Sequence, residues 1–108
     1  MTYQETVERI GALHSSLGVN VHHYFRPQMK APFIIWQEDS SSQFDANNRM
    51  AEMTVSGSTD FFTKKEYDRT VDRIIDMFNK NGFLWKLNSI QYEQETGFIH
   101  YEFLWEMC

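Results

Sequence analysis

From Phe98 to Met107 the chain reads FIHYEFLWEM, with Ile99, Tyr101, Phe103, Trp105 and Met107 alternating against Phe98, His100, Glu102, Leu104 and Glu106. A period of two sustained over ten residues does not fit a helix, whose faces repeat every three to four positions. It specifies a strand with one strongly apolar side. Just ahead, Glu93-Gln94-Glu95-Thr96-Gly97 ends in a glycine suited to positive φ, and Phe83–Tyr92 reads as a second strand with a bend near Asn88-Ser89. The end of the chain is therefore a hairpin of aromatic strands, and the remainder must cover its apolar side.

Two segments have helical spacing and can do so. Thr2-Tyr3-Gln4-Glu5 has the form of a capping box, and Val7, Ile10, Leu13 and Leu17 follow on one face before Gly18. This predicts a helix over 3–17. Thr63-Lys64-Lys65-Glu66 has the same form. Behind it Tyr67, Val71, Ile74, Ile75 and Phe78 share a face up to Asn81-Gly82, with Lys64, Asp68, Arg69, Asp72 and Asp76 opposite.

Three further segments read as strands. Val19–Phe25 alternates. Arg26–Pro32 carries both prolines and reads as a turn or excursion, since proline removes a ladder donor. Phe33–Gln37 is apolar on both faces, as in a central strand. Arg49–Thr59 places Ala51, Met53, Val55 and Gly57 on one side and Glu52, Thr54, Ser56 and Ser58 on the other, so one sheet face is expected to meet water or a partner. The predicted class is α+β: a largely antiparallel five-stranded sheet with two helices on one face, in the order α-β-β-β-α-β-β. A length of 108 residues suits a single domain, 1–108.

Between the second and third strands lies a polar stretch, about 38–49, holding only Phe44 and Ala46 as apolar residues. Adjacent strands are usually joined by two to five residues, so a longer connection points to a binding element.

Charge and chemistry narrow the function classes. The net charge is −5, from 15 acids and 10 bases, and Lys64-Lys65 is the one adjacent basic pair, so nucleic acid and anionic membranes are poor primary partners. No apolar run approaches the roughly 20 residues needed to span a bilayer. Cys108 is the single cysteine, so no intrachain disulfide forms. MTYQETVERI is too polar for a signal peptide, which leads to the expectation of an intracellular, soluble protein when made.

His22 and His23 are neighbours and point to opposite faces of a strand, while His14 and His100 sit on separate elements. No spacing asks for a metal, and the four histidines read as surface or core-edge residues. Asp68, Asp72 and Asp76 share a helix face with Lys65, Arg69 and Arg73 interleaved, a solvated surface. There is no glycine-rich phosphate loop, and the serines at 40–42 lack a nucleophile elbow. No catalytic residue, cofactor or metal is expected.

The stretch from Ala31 to Ile74 resembles the tail-completion, or tail terminator, proteins of long-tailed bacteriophages and prophages. The residues that carry the resemblance are Pro32-Phe33-Ile34-Ile35-Trp36, then Ala46-Asn47-Asn48 in the polar loop, Asp60-Phe61-Phe62-Thr63 leading into a charged helix, and the hairpin from Tyr92 through Glu95-Thr96-Gly97 to Ile99-His100-Tyr101. The resemblance implies a non-enzymatic α+β subunit of a ring, commonly a hexamer, that caps the head-proximal end of the tail tube, stops its growth and joins the head. The implied partners are other copies of the chain, the tail-tube protein and the head-tail connector proteins, with DNA only as passing cargo and no membrane. The implied setting is the host cytoplasm during assembly and then the virion neck. The assembly loop would hold Phe44, Asp45, Asn47, Asn48 and Arg49, with Phe44 as anchor. A hexamer would carry a charge of about −30, which would not grip passing phosphate.

Two other readings stand beside this one. The chain could be a different connector component, an adaptor or head-closure protein. Alternatively it could be a small enzyme or ligand-binding domain with a cleft beside His22, Tyr24 and His100.

Overall fold

A computed structural model describes residues 1–26, 30–42 and 54–107. The elements are α1 (Tyr3–Ser15), β1 (Asn20–His23), β2 (Phe33–Ser42), β3 (Thr54–Thr63), α2 (Thr70–Lys80), β4 (Leu84–Glu93) and β5 (Phe98–Met107). The strands form one sheet in the order β1-β2-β3-β5-β4. β1 runs parallel to β2, and the other three pairs are antiparallel. The architecture is the α+β one expected from the sequence.

Both helices pack on the same side, because their apolar faces enter one core. Val7 and Ile10 of α1 and Ile74, Met77 and Phe78 of α2 join Ile34, Trp36, Val55, Phe61, Phe103 and Trp105 of the sheet. The Thr2–Glu5 capping box forms as read: the Thr2 hydroxyl accepts from the Glu5 N–H at 3.1 Å, and the Glu5 carboxylate accepts from the Thr2 N–H at 2.7 Å. Gly57 lets the core close. A Cβ there would meet the Gln37 carbonyl at 2.2 Å and the Trp105 ring at 2.6 Å.

Several boundaries differ from the sequence reading. α1 ends at Ser15, two residues short of 17. β1 is shorter than Val19–Phe25 because Tyr24 takes φ 80°, which breaks the alternation. β2 runs on past Gln37 to Ser42, with an irregularity between Glu38 and Ser40. Its polar end reads as loop in the sequence because Glu38-Asp39-Ser40-Ser41-Ser42 holds no apolar residue. Of the predicted third strand, Thr54–Thr59 lies in β3, and residues 49–53 fall outside the described residues.

The start of the second helix needs the largest correction. Thr63-Lys64-Lys65-Glu66 is not a capping box, because Thr63 is the last residue of β3 and pairs with Ile99. The helix begins at Thr70, where the Asp68 carboxylate accepts the Thr70 N–H at 2.9 Å and the Thr63 hydroxyl at 2.7 Å. Tyr67, read as part of the apolar face, is instead a turn residue at φ 58° and 79% exposed. Pairing and burial of Phe61 and Phe62 within the sheet outweigh a local cap worth about 1 kcal/mol.

The face away from the helices is only partly open. Phe33, Ile35, Phe62 and Phe98 form a second buried cluster there, with Ala31 against it. Arg26 places its guanidinium 4.5 Å from the Phe62 ring centre and 5.6 Å from that of Phe98. One end of this face is therefore closed by the crossover between β1 and β2. The other end carries Gln37, Ser56, Lys86, Leu104 and Glu106.

Candidate interaction surfaces

The predicted assembly residues Phe44, Asp45, Asn47, Asn48 and Arg49 lie outside the described residues. The two strands that lead to them are described. β2 and β3 stay paired out to Ser42 opposite Thr54.

The histidines divide between core and surface. His14, read from the sequence as a surface or core-edge residue, is fully buried at the centre of the main core. The Trp105 indole N–H donates to the Thr59 hydroxyl at 2.8 Å, that hydroxyl donates to His14 Nε2 at 2.7 Å, and His14 Nδ1–H donates to the Ile10 carbonyl at 2.8 Å. Every polar atom in this chain has a partner with the imidazole neutral. Burial holds the His14 pKa down at about 4. No sequence signal marks it, since one face of α1 carries His14 among apolar neighbours without a spacing that names its partner.

His23 lies between the Trp36 and Tyr24 rings, at 3.8 Å from each. It donates to Glu38 at 2.7 Å, and the Tyr24 hydroxyl donates to the other Glu38 oxygen at 2.6 Å. Partial burial pushes the Glu38 carboxyl up, but the two hydrogen bonds outweigh it and hold its pKa below the usual value. The same bond raises the Tyr24 pKa, since losing the phenolic proton would set two anions together.

On the opposite face His100 stacks on Phe62 at 4.2 Å and donates to Asp60 at 2.6 Å. Glu93 lies 3.8 Å from the other ring nitrogen, and Arg26 donates to Glu93 at 2.9 Å. The Arg26 hydrogen bond lowers the Glu93 pKa. These groups brace the crossover against the sheet. His22 and His100 do not converge: His22 lies against Phe25 with ring centres 5.6 Å apart, and Tyr24 turns toward Glu38. A shared cleft among His22, Tyr24 and His100 is therefore not formed.

A hollow of about 460 Å³ lies at the far end of the sheet, lined by Asp39, Ser56, Leu84, Lys86, Leu104 and Glu106 among others. It is shallow, and no nucleophile and base meet there. Among the described residues no group of three His, Cys, Asp or Glu side chains is placed to hold a metal ion, and no helix is long and apolar enough to cross a membrane.

The exposed apolar side chains are more informative. α2, with 11 residues, is about 16 Å long, whereas a ten-residue strand reaches about 33 Å, so the helices leave part of β4 uncovered. Leu87, Ile90 and Tyr92 lie there on the helix side, 37%, 56% and 65% exposed. At the other edge of the sheet Tyr24 and Phe25 are 57% and 63% exposed. Sequence reasoning missed both patches, because strand order decides which strands become edges.

No protein-family model matches the chain, and no curated protein matches it at a significant level.

Proposed function

We propose that the chain is a non-enzymatic structural protein of a long-tailed bacteriophage or prophage. Copies form a ring, a hexamer in this reading, that caps the head-proximal end of the tail tube, ends its polymerisation and joins it to the head. The protein would act in the host cytoplasm during assembly and remain in the virion neck.

One observation carries the reading: β2 and β3 stay paired out to Ser42 opposite Thr54, the residues that border the candidate assembly loop. Loops carried on a paired scaffold are common binding elements, which suits an assembly role for this loop. The segments that carry the resemblance support the same reading. Pro32–Trp36 enters the interior strand β2, Asp60–Thr63 completes β3, and the Tyr92–Tyr101 hairpin joins β4 to β5. The net charge of −5 suits a ring that lets DNA pass without gripping it.

The test is light scattering coupled to size exclusion over a wide concentration range, with and without purified tail-tube protein. A ring-sized species, or stable capping of tube ends, is the expected result. A strict monomer indifferent to tubes overturns the proposal, and binding to head components alone would favour the adaptor or head-closure role. Phe44→Ala is expected to weaken assembly while leaving the melting temperature of the subunit unchanged. A loss of stability matching a core truncation would place Phe44 inside its own subunit.

A further inference from the structure

β4 is an edge of the sheet: among the described residues it pairs with β5 and with no other strand. An edge strand presents unpaired backbone donors and acceptors to any strand that can reach it, and natural edges are usually blunted by brevity, charge, proline or bulges. β4 is ten residues long, has no proline, and carries Lys86 as its one charge before the terminal Glu93. Its one interruption is the register shift between Leu87 and Ser89, where Asn88 is the extra residue and donates its side-chain amide to Glu102 at 2.8 Å.

The side chains of β4 are sorted by face. Leu87, Ile90 and Tyr92 stand opposite Phe103, Tyr101 and Ile99 on the helix side. Lys86, Ser89, Gln91 and Glu93 stand opposite Leu104, Glu102, His100 and Phe98 on the other side.

This order is complementary to itself about Ile90. Directly opposed residues of an antiparallel pair point to the same face, so two copies of β4 match face for face only in alternate registers. With Ile90 opposite Ile90, Ser89 meets Gln91. Beyond the extra Asn88, Leu87 meets Tyr92 and Lys86 meets Glu93. The three exposed apolar side chains then cover one another, and the charges that meet are opposite. Moving the twofold axis to Ser89 sets Leu84 against Glu93. Moving it to Gln91 sets Ser89 against Glu93 and carries Leu87 past the end of the partner strand. Lys86 makes no ion pair within the subunit among the described residues, and Glu93, though bonded to Arg26 and Thr96, keeps its side chain 26% exposed. An exposed pair of this kind adds little affinity and serves to choose the register.

The area suits a reversible contact. Leu87, Ile90 and Tyr92 leave roughly 300 Å² of apolar surface exposed on each copy, the size of the largest patch on a typical monomer. Together with the outer edges of the two strands, the contact buries on the order of 1,000 Å², the lower bound of a specific interface.

We propose that two copies of this chain associate about a twofold axis through Ile90, their β4 strands pairing antiparallel so that two five-stranded sheets become one continuous sheet. The contact is isologous and closes at two copies. It goes beyond the ring reading and does not rest on it, since a cyclic ring is built on contacts between unlike surfaces.

The test uses the full chain with Cys108→Ser, which removes its one native cysteine. Ser89→Cys, Ile90→Cys and Gln91→Cys are then introduced singly. On mild oxidation Ile90→Cys is expected to give disulfide-linked dimer in high yield, because Ile90 meets its own copy at about 5 Å between Cα atoms. Positions 89 and 91 each lie two residues out of register with their own copies, beyond the roughly 7 Å that a disulfide spans, and should give little. Sedimentation velocity of the parent chain is expected to show a concentration-dependent dimer. Ile90→Glu sets two like charges together on the axis and should weaken that dimer about 30-fold or more. An unchanged melting curve checks that this variant folds; if it does not fold, the cross-linking pattern decides. A parent chain that stays monomeric at every concentration overturns the proposal. So does a folded Ile90→Glu chain that dimerises as strongly as the parent, or cross-linking that favours position 89 or 91. A dimer that cross-links through position 90 yet ignores tail tubes leaves this contact standing while the tail function fails.

Discussion

The two faces of the sheet each bury aromatic rings and each contain a histidine, yet they solve the polar problem differently. On the helix side His14, carried by α1, lies among Trp36, Phe78, Phe83 and Trp105 and is held neutral by a closed chain of hydrogen bonds. On the other side His100 lies over Phe62 at the edge of a four-residue cluster and pairs with Asp60. A buried charge is costly unless paired, whereas a neutral imidazole needs only one donor and one acceptor. Full cover therefore goes with a neutral histidine, and partial cover with a carboxylate partner. The same contrast separates a core that carries stability from a cluster that chiefly fixes the β1–β2 crossover.

The sharpest test of that contrast removes one ring from each side. Phe78→Ala is expected to cost about 4 kcal/mol, and Phe62→Ala about 2 kcal/mol, because water and Arg26 can fill part of the space at the surface. Urea unfolding of the two variants decides it, and equal losses would make the second cluster a core in its own right.

Acid should act on the helix side first. The unfolded chain protonates His14 near pH 6.5 and the folded chain only near pH 4, so its contribution is fully present above about 6.5. That contribution is lost as pH falls from 6.5 toward 4, to a total of about 3 kcal/mol. The lowered carboxyls of Glu38, Asp68 and Glu93 lose their contributions at lower pH, as protons reach them. Comparing the parent with His14→Phe at pH 7.5 and 4.5 isolates the histidine: the variant should show a much flatter dependence, and an equal slope would mean that His14 is not buried neutral.

Asp60→Asn should cost less than about 1 kcal/mol, because the His100 pair is reached by water and the amide oxygen can still accept the hydrogen bond. A larger loss would give the second face a buried ion pair and dissolve the contrast. The smallest expected effect is Tyr67→Gly, a gain of up to about 1 kcal/mol from relief of the left-handed backbone, offset in part by the entropy of glycine in the unfolded chain. A fall in melting temperature would show that the exposed ring packs on its own subunit.

Much of the fold was legible before any coordinates. The alternation at 98–107, the Thr2–Glu5 cap, the Gly97 turn and the Ile74–Phe78 spacing depend on neighbours within one turn or one pleat, and each appears where the residues put it. The resemblance pointed to a loop at about 38–49, whose candidate residues Phe44, Asp45, Asn47, Asn48 and Arg49 fall outside the described residues, whereas the exposed apolar side chains of the strand edges come from the structure alone.

The sequence by itself determined the class, the element order and the main apolar faces, because periodicity and capping act through residues close in the chain. Tertiary structure alone decided that Thr63 ends a strand and does not cap a helix, that β1 runs parallel to β2, and that His14 sits in the core. It also decided that β4 and β1 are the edges. These outcomes depend on which distant strands pair, through contacts such as Thr63 with Ile99 and His14 with Thr59, and pairing between segments far apart in the chain leaves no local period to read.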